Sequence, residues 1–454
     1  MKAFSVSALA EILKAKTPKT GDVFWGVSID SRTTKRGDCF FAIRGENFDG
    51  HDYVADALSK GAVCAVVSEE TKDGGFADKA ILRVDDTVKA LGDFAGEYRQ
   101  EAGFQVVAIT GSVGKTMTRQ IAYHVLSQHF RVSQSPRNFN NYIGLPLTLL
   151  GADPEDQIVI AELGTNHPGE IAYLARIALP DIAVVTNVQP AHLEGFGSLE
   201  AIREEKLSIS EGLRPNGVLI INTDTVSRPA NAGYRVVTLG KSVDCDYQAR
   251  NITFDGARSS FLINGTPICL PMPGQGNVEN ALAAWAICSE FGLTASDFAG
   301  AMETLTAVAM RAEVLQIGPL TVINDCYNAN PASMRNALQI LSALDQTARR
   351  RRIFICGDMA ELGQHSEALH AELGASIAQA RIQLLLVVGE FAGITAVAAK
   401  KAADYDLQTE CFKDTFEVCN NLHKFAKNND IILVKGSRVA KLETVTEKLK
   451  ELFS

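Results

Sequence analysis

Short apolar runs alternate with amphipathic stretches along much of the chain after residue 104. The apolar runs are QVVAIT, QIVIAELG, DIAVVTNV and GVLIINTD, and helical periodicity separates several of them. Continuous apolar runs of this kind are typical of parallel strands that are buried on both faces. The pattern therefore predicts a central region built from alternating strands and helices.

The two flanking regions show patterns of their own. Before residue 103, CFFAIRG and GAVCAVVSEE are predicted strands, YVADALSKG is a predicted helix, and DDTVKALGDFAGEYRQEAG is a longer helix. After about residue 313, four apolar runs (PLTVINDC, RRIFICGD, IQLLLVVG and DIILVKG) predict a small doubly wound sheet. We expect three α/β domains: a small mixed N-domain at 1–102, a central domain at 103–311 and a Rossmann-like C-terminal domain at 312–454.

One segment of the central region alternates between polar and apolar positions instead. ARNITFDGARSSFLINGTPICLPMPG contains the turn signals Asp-Gly and Asn-Gly, which predict a hairpin region. NVENALAAWAICSEFG follows as a predicted helix that ends near Gly292.

Composition narrows the classes of protein. A chain of 454 residues with 46% hydrophobic and 21% charged residues is typical of a multidomain globular protein. Its net charge of −9 argues against a non-specific nucleic-acid binder, and the run ARRRR at 348–352 is interpreted as a solvated loop. Nine scattered cysteines without a C-x-x-C pair indicate neither a disulfide framework nor a zinc site.

Two further expectations concern the cellular setting. No run approaches the roughly 20 apolar residues that span a bilayer, and the N-terminus is interpreted as a short amphipathic helix rather than a signal peptide. We therefore expect a cytosolic protein without membrane insertion, and we expect a monomer.

The stretch ITGSVGKTMT, at 109–118, lies between a predicted strand and a predicted helix. In that context glycines let backbone N–H groups turn toward an anion at the helix N-terminus. The lysine would neutralise nucleotide phosphates and the threonine would reach a magnesium ion. The common loop has an earlier glycine where this chain has isoleucine, so the form here is T-G-x-x-G-K-T. A phosphate site in a P-loop-type mononucleotide-binding domain is predicted, with contacts from Gly111, Ser112, Gly114, Lys115 and Thr116.

Two more polar residues follow predicted strands of the same domain. Glu162 follows QIVIA, and His192 follows VVTNVQPA. Open α/β sheets bind ligands at the carboxyl ends of their strands, so both side chains could face the loop. Lys206 lies in the predicted helix SLEAIREEKLSISEGL, and its position alone indicates only a solvated lysine. By themselves the other two are equally compatible with a capping carboxylate and a satisfied histidine.

These central motifs together resemble the Mur ligases of peptidoglycan synthesis. The T-G-x-x-G-K-T loop, AELGTNHPGEI, VVTNVQPAHLEGFGS and EEK follow one another in the order typical of that family. The resemblance implies ATP as co-substrate and two Mg²⁺ sites, with Thr116, Glu162, His192 and Lys206 around the metal ions. It also implies that Lys206 reacts with carbon dioxide to form a carbamate.

The ends of the chain resemble one member of the family in particular. SIDSRTTKRGDCFFAIRGENFDGH, at 28–51, is similar to a uridine-nucleotide-binding domain, and NDCYNANPASM, at 324–334, is similar to the signature of the member that adds D-alanyl-D-alanine. GDMAELG and LVKGSR complete the match. The resemblance implies UDP-N-acetylmuramoyl-tripeptide and D-alanyl-D-alanine as substrates, joined through an acyl phosphate.

The resemblance also implies individual roles. The expected contacts are Asn280 with adenine, Arg311 with the phosphates and Asp325 with ribose; Tyr327, Asn328 and Asn330 around the dipeptide; Ser31 and Arg32 at the uridine diphosphate; and Asn140, Asn141, Thr165 and Asn166 along the muramoyl peptide. Lys115, Glu162, His192 and Lys206 are the expected catalytic residues. Alternatively, YNANP is a polar turn that starts a helix.

Two positions depart from the family pattern, and other functions stay open. Gly276 stands where the family usually has histidine, and Met310 stands where it usually has glycine. One alternative is a related amide ligase with another acceptor, either a diamino acid or a folylpolyglutamate-type substrate. Another is a nucleotide-binding regulatory protein that has lost turnover.

Overall fold

Each of the three predicted segments contains its own parallel or mostly parallel sheet in the computed structural model, which describes residues 1–16, 21–70, 79–229, 233–344 and 349–453. The three-domain α/β prediction is confirmed in this respect, while the exact domain bounds remain predictions. Within the described residues no helix is both long and apolar enough to cross a membrane.

The N-terminal segment forms a four-stranded parallel sheet, and a short antiparallel pair precedes it. The sheet order is β3-β4-β5-β6. The elements are β1 (Phe4–Ser5), α1 (Val6–Ile12), β2 (Val23–Phe24), β3 (Gly26–Ser28), β4 (Asp38–Phe41), α2 (Val54–Ser59), β5 (Cys64–Val67), β6 (Ala80–Arg83) and α3 (Thr87–Glu101). Part of the predicted N-terminal helix, residues 17–20, lies outside the described residues.

The central segment forms a six-stranded sheet in which every pair is parallel, in the order β12-β11-β10-β7-β9-β8. Its elements are β7 (Gln105–Thr110), α4 (Lys115–Leu126), β8 (Val132–Gln134), α5 (Gly144–Leu150), β9 (Ile158–Glu162), α6 (Glu170–Ala178), β10 (Ile182–Val185), α7 (Leu193–Phe196), α8 (Leu199–Leu207), β11 (Val218–Asn222) and β12 (Arg235–Leu239). The strand order reverses at β7, and such a switch point is where open α/β sheets bind ligands.

The predicted hairpin region is a three-stranded antiparallel sheet formed by β13 (Arg250–Asp255), β14 (Arg258–Ile263) and β15 (Thr266–Leu270). Its second turn places Asn264 and Gly265 at φ of +50° and +81°. Those values suit an Asn-Gly hairpin turn, as the sequence predicts. The helices α9 (Gln275–Glu290) and α10 (Ala295–Met302) follow.

The C-terminal segment forms a second six-stranded sheet, in the order β16-β17-β21-β18-β19-β20, in which only β16 is antiparallel. Its elements are β16 (Glu313–Ile317), β17 (Leu320–Asn324), α11 (Pro331–Leu344), β18 (Arg352–Gly357), α12 (Ser366–Gln379), β19 (Leu384–Val388), α13 (Ala392–Ala402), β20 (Gln408–Phe412), α14 (Thr415–Phe425), β21 (Ile431–Lys435) and α15 (Glu443–Phe453). The four predicted strands form the interior of the sheet. The edge strands β16 and β20 lack a continuous apolar run because water reaches part of each.

Helix α3 joins the N-terminal segment to the central one. Gly92 lies so close to Tyr173 that a Cβ atom would be 2.7 Å from the tyrosine hydroxyl. The fully buried Arg99 pairs with Asp181 at 2.7 Å and donates to the Ala178 carbonyl at 3.1 Å. One hydrophobic cluster therefore runs from the N-terminal helices into the central sheet.

Candidate active site

A cleft of about 730 Å³ lies between the carboxyl ends of the central strands and the start of α11. Most of the site residues predicted from the sequence line it. They are Ser112, Gly114, Lys115, Thr116, Asn140, Asn141, Glu162, Thr165, Asn166, His192, Asn280, Arg311, Asp325, Tyr327, Asn328 and Asn330. The cleft thus brings together residues that the sequence separates by more than two hundred positions.

The loop between β7 and α4 requires both of its glycines. Gly111 has a φ of +146° and Gly114 a φ of +87°, and both conformations favour glycine. Space imposes the same requirement, because a Cβ at Gly111 would lie 2.0 Å from Thr186 Oγ1 and a Cβ at Gly114 would lie 2.0 Å from Asn280 Oδ1. The T-G-x-x-G-K-T loop is therefore a specific, tightly packed conformation and not a degenerate form of the common phosphate loop.

The segment that follows β10 holds the loop in place. Asn187 donates to the Val113 carbonyl at 3.1 Å and accepts from the Val113 N–H at 3.0 Å. Ser112 Oγ donates to the Gln189 carbonyl at 2.9 Å. These bonds fix the loop before any ligand binds, so an anion would meet a preformed cradle.

Lys115 begins α4 and donates to the Gly111 carbonyl at 2.6 Å. Burial in the cleft lowers the pKa of Lys115, while the nearby Glu162 carboxylate raises it and Arg311 lowers it. A phosphate would exchange the hydrogen bond to the carbonyl for a charge-assisted one. The side chain thus lies at the position where a nucleotide would need a cation.

Glu162 ends β9 and is 2% exposed. Its Oε2 accepts from Thr116 at 3.2 Å, and its Oε1 pairs with Arg119 Nε at 2.6 Å. Arg119 is equally buried and also donates to the Ser135 carbonyl at 2.7 Å. Because the guanidinium occupies one carboxylate oxygen, the other is left toward the phosphate loop. Sequence reasoning missed Arg119, whose partner lies 43 residues further along the chain.

Lys206 lies in the last turn of α8 and is 1% exposed. Within the described residues its Nζ has no hydrogen-bond partner. Burial, together with the charge of Lys115, holds the pKa of Lys206 well below its usual range. The solvated-lysine interpretation is therefore wrong for this residue, which is a buried amine.

His192 precedes α7 and has a φ of +56°. Its Nδ1 lies 2.5 Å from Oε2 of Glu361, a residue of the C-terminal segment that sequence reasoning did not select. Within the described residues no three side chains of His, Cys, Asp or Glu form a metal cluster by themselves. A metal ion here would need the threonine, phosphate oxygens or a modified lysine as further ligands.

Arg311 reaches the cleft from the segment between α10 and β16. Its guanidinium carbon lies 4.0 Å from the centre of the Tyr327 ring. Burial lowers the pKa of Arg311, while Glu162 across the cleft raises it. The residues on either side, Met310 and Ala312, have φ values of +59° and +50°. Glycine fits a left-handed position best, so the methionine at 310 occupies a strained backbone.

Asp325 is held at both of its oxygens. Oδ1 accepts from the Ala312 N–H at 3.0 Å, and Oδ2 pairs with Lys435 Nζ at 2.7 Å. Lys435 is 1% exposed and also donates to the Asn328 carbonyl at 2.9 Å. The aspartate thereby ties the linking segment to the C-terminal sheet.

Asn330 caps helix α11, because its Oδ1 accepts from the Ser333 N–H at 2.9 Å. The polar-turn interpretation of YNANP is therefore confirmed for this residue, which also lines the cleft.

The Gly276 departure has a packing explanation. Its N–H donates to Asn336 Oδ1 of α11 at 3.1 Å, and a Cβ at Gly276 would lie 3.0 Å from the same oxygen. A histidine would need Asn336 to move.

The four residues predicted along the muramoyl peptide lie in the loops that precede α5 and α6. Asn141 Oδ1 accepts from the Gly144 N–H at 2.9 Å, and Thr165 Oγ1 lies 3.1 Å from Glu205 Oε1. The Asn140 carbonyl accepts from the Gly164 N–H at 2.8 Å. The Asn166 N–H donates to Glu170 at 2.7 Å.

Ser31, Arg32, Gly111 and Lys206 are not among the residues that line the cleft. Ser31 is buried in the N-terminal segment, and Arg32 is largely exposed and pairs with Asp30 at 2.7 Å.

Family models match all three segments of the chain. The Mur ligase family catalytic domain matches residues 24–99, the Mur ligase middle domain matches 109–288, and the Mur ligase glutamate ligase domain matches 310–438. With these matches and the full-length relatives described next, the chain belongs to the Mur ligase family.

Within the family, the chain is similar to one kind of ligase over its whole length. It is 35% identical to UDP-N-acetylmuramoyl-tripeptide–D-alanyl-D-alanine ligase of Bacillus subtilis, across 98% of both chains. It is 34% identical to the ligase of the same name from Escherichia coli, across 99% of both. The crystal structure of MurF from Acinetobacter baumannii matches with a TM-score of 0.89 at 29% identity, across 99% of both chains.

Proposed function

We propose that this protein is an ATP-dependent, ADP-forming ligase that joins D-alanyl-D-alanine to UDP-N-acetylmuramoyl-tripeptide. The observation that carries the proposal is the single cleft that contains the phosphate loop on one side and the YNANP turn on the other. The full-length similarity to ligases of that name supports the choice of substrates. A Thermotoga maritima MurF structure in complex with ADP, with a TM-score of 0.82 at 26% identity, supports a nucleotide in the cleft.

Joining a carboxylate to an amine in water is unfavourable, so the carboxylate must be activated. ATP would phosphorylate the terminal carboxylate of the tripeptide to give an acyl phosphate and ADP. Lys115, already positioned in the cleft beside the loop, would stabilise charge on the transferred phosphoryl group. The dipeptide amine would then attack the acyl carbon and release phosphate, losing a proton as the amide forms.

The residues present fit Mg²⁺. Thr116 and Glu162 would hold one ion beside the phosphates, and His192 and the carbamate of Lys206 would hold a second. Bound Mg²⁺ would neutralise the anions that must approach each other. Glu162 Oε2 accepts from the Thr116 hydroxyl at 3.2 Å, so the two oxygens that would hold this ion already lie together.

A carbamate on Lys206 fits the surroundings of that amine. Only an unprotonated amine attacks carbon dioxide, and the burial that lowers the pKa of Lys206 favours the unprotonated form. The reaction forms an N–C bond, opens one C–O π bond of carbon dioxide and releases one proton. It would convert a buried amine that has no hydrogen-bond partner among the described residues into an anion. That anion would face the positive charge of Lys115 and a metal ion.

Replacement of this lysine is the sharpest mutational test of the chemistry. We expect Lys206→Ala to lower kcat by about 10³-fold, as expected when a group that stabilises transition-state charge is lost. An added short carboxylic acid, such as acetate or formate, should restore part of the rate. The exposed Lys241→Ala serves as the control. Wild-type turnover in Lys206→Ala would overturn the carbamate assignment.

The activity itself is tested by phosphate release from ATP with UDP-N-acetylmuramoyl-tripeptide, with and without D-alanyl-D-alanine, and by the mass of the product. We expect release that depends on the dipeptide, together with a pentapeptide product. Release only with a free diamino acid and the UDP-muramoyl-dipeptide would assign the chain to the related ligase. ATP binding without any product would favour a regulatory role.

A further inference from the structure

A turn of the C-terminal segment, residues 361–363, sits directly on His192 and the start of α7 in the central segment. The Glu361 carbonyl accepts from the Glu194 N–H at 3.2 Å. Gly363 has a φ of +54°, and a Cβ there would lie 3.2 Å from the Glu194 Cα atom. The turn belongs to the motif GDMAELG, to which the proposed function assigns no role.

The two side chains that meet at this contact are His192 and Glu361. Nδ1 of the histidine lies 2.5 Å from Oε2 of the glutamate. Both residues adopt left-handed backbones, at φ of +56° and +63°. Residues other than glycine keep such conformations only where their surroundings impose them, and such positions cluster at functional sites. Each turn therefore holds its side chain toward the other.

The carboxylate also lies within electrostatic reach of Lys115 in the phosphate loop. Contact with His192 lowers the pKa of Glu361 most, burial opposes that effect, and Lys115 lowers the pKa further. Glu361 in turn raises the pKa of Lys115. The C-terminal segment thus supplies a carboxylate within electrostatic reach of the proposed chemistry.

Histidines that bind metals usually place their second ring nitrogen against a carboxylate, which fixes the tautomer and the ring orientation. Nδ1 of His192 is buried and makes no well-aligned hydrogen bond within the described residues. Its close polar neighbour is Oε2 of Glu361, at 2.5 Å. A proton on Nδ1 leaves the Nε2 lone pair for a cation.

We propose that Glu361 is a positioning residue that orients His192, so that Nε2 presents its lone pair to the metal ion. The metal site is then complete only while the C-terminal domain rests against the central domain. Domain contact and metal affinity are coupled through this one pair. The inference rests on the proposed function for the assignment of His192 as a metal ligand.

The test measures binding of Mn²⁺ to the full-length chain with ADP, by the electron paramagnetic resonance signal of free Mn²⁺. We expect Glu361→Gln and Glu361→Ala each to raise the Mn²⁺ dissociation constant of one site by about 10-fold, the effect typical of a lost partner of a ligating histidine. Glu367→Gln removes the same charge from an exposed position six residues away and should leave Mn²⁺ binding unchanged. Unchanged affinity in folded Glu361→Gln would overturn the proposal.

A double-mutant cycle separates positioning from direct ligation. In a His192→Ala background, Glu361→Ala should cause no further loss of Mn²⁺ affinity, because the residue acts through the imidazole. A second, additive loss would overturn the positioning role in favour of direct ligation. A lower kcat with unchanged Mn²⁺ affinity would indicate that Glu361 only packs the two domains together, which also contradicts the proposal.

The outcomes distinguish this inference from the proposed function. Dipeptide-dependent product formation by the wild-type chain, with unaltered Mn²⁺ binding in Glu361→Gln, would reject the inference and keep the ligase. Weakened Mn²⁺ binding in that variant, with no product from the wild-type chain, would reject the ligase and keep the positioning role.

Discussion

Both walls of the cleft hold a carboxylate with a buried cation, yet the two pairs are built differently. In the central wall, Arg119 and Glu162 are each 2% exposed at the side chain and lie 2.6 Å apart. In the C-terminal wall, the side chain of Lys435 is 2% exposed, that of Asp325 is 15% exposed, and the two lie 2.7 Å apart. The central carboxylate is sealed from water, whereas the C-terminal one is partly solvated.

The cations also differ in how many groups they organise. The guanidinium of Arg119 serves the carboxylate, the Gln134 side chain and the Ser135 carbonyl at the same time. The ammonium of Lys435 serves only two residues: it pairs with the Asp325 carboxylate, and it donates to the Asp325 and Asn328 carbonyls. A planar fork can fix several acceptors in one geometry, which a point charge cannot do. The stability of the central wall should therefore fall more than that of the C-terminal wall when its cation is replaced.

The first prediction breaks the central pair. Arg119→Met leaves Glu162 as a buried charge without its partner, so the free energy of unfolding should fall by about 3–5 kcal/mol. The measurement is urea denaturation followed by circular dichroism, with Mn²⁺ binding as a second readout. A loss below about 1 kcal/mol would show that water replaces the guanidinium, which contradicts the sealed geometry.

Arg119→Lys sharpens the same comparison. It keeps the charge but loses the fork, so the stability should be only partly restored and the Gln134 and Ser135 contacts should stay broken. Full restoration would mean that charge alone matters in the central wall.

The sequence predicts the central wall better than the C-terminal wall because much of its information is local. Gly111 and Gly114 lie three positions apart and adopt the positive φ values that the loop requires. Together with the strand before them and the helix after them, they predict a phosphate-binding loop. The role of Arg119 could not be predicted in this way, because the local sequence around an arginine in a helix does not indicate a partner on a distant strand. Lys206 shows the same limit, because helical periodicity cannot reveal that its amine is buried.

The C-terminal wall was predictable in its strands but not in its contacts. Continuous apolar runs indicated the four interior strands, yet Lys435 ends one of them without any local signal. Glu361 and His192 meet only through two left-handed turns that lie 169 residues apart, a geometry that no local pattern encodes. Tertiary packing decides these pairs.

The second prediction breaks the C-terminal pair. Lys435→Met should lower the free energy of unfolding by about 2 kcal/mol, less than the central loss, because water can reach Asp325 and offset part of the missing partner. The exposed Lys450→Met on α15 is the matched control and should change little. If Lys435→Met costs as much as Arg119→Met, the difference in exposure does not control the energetics.

The third prediction concerns the segment that joins the two walls. Met310 has a φ of +59° and packs partly against the C-terminal core, so its backbone and its side chain act in opposite directions. Comparing Met310→Gly with Met310→Ala separates the two, because both variants remove the side chain and only glycine relieves the left-handed strain.

We expect Met310→Gly to be more stable than Met310→Ala by about 1 kcal/mol. A residue with a Cβ atom is destabilised by roughly 1–2 kcal/mol at a left-handed position, and glycine avoids this strain. Glycine also raises the entropy of the unfolded chain, which offsets part of the stabilisation. Thermal unfolding of the two purified variants measures the difference. Equal stabilities would mean that the segment relaxes its backbone when the methionine side chain is removed. In that case Arg311 would be held in the cleft by its contact with Tyr327 rather than by the strained residues beside it.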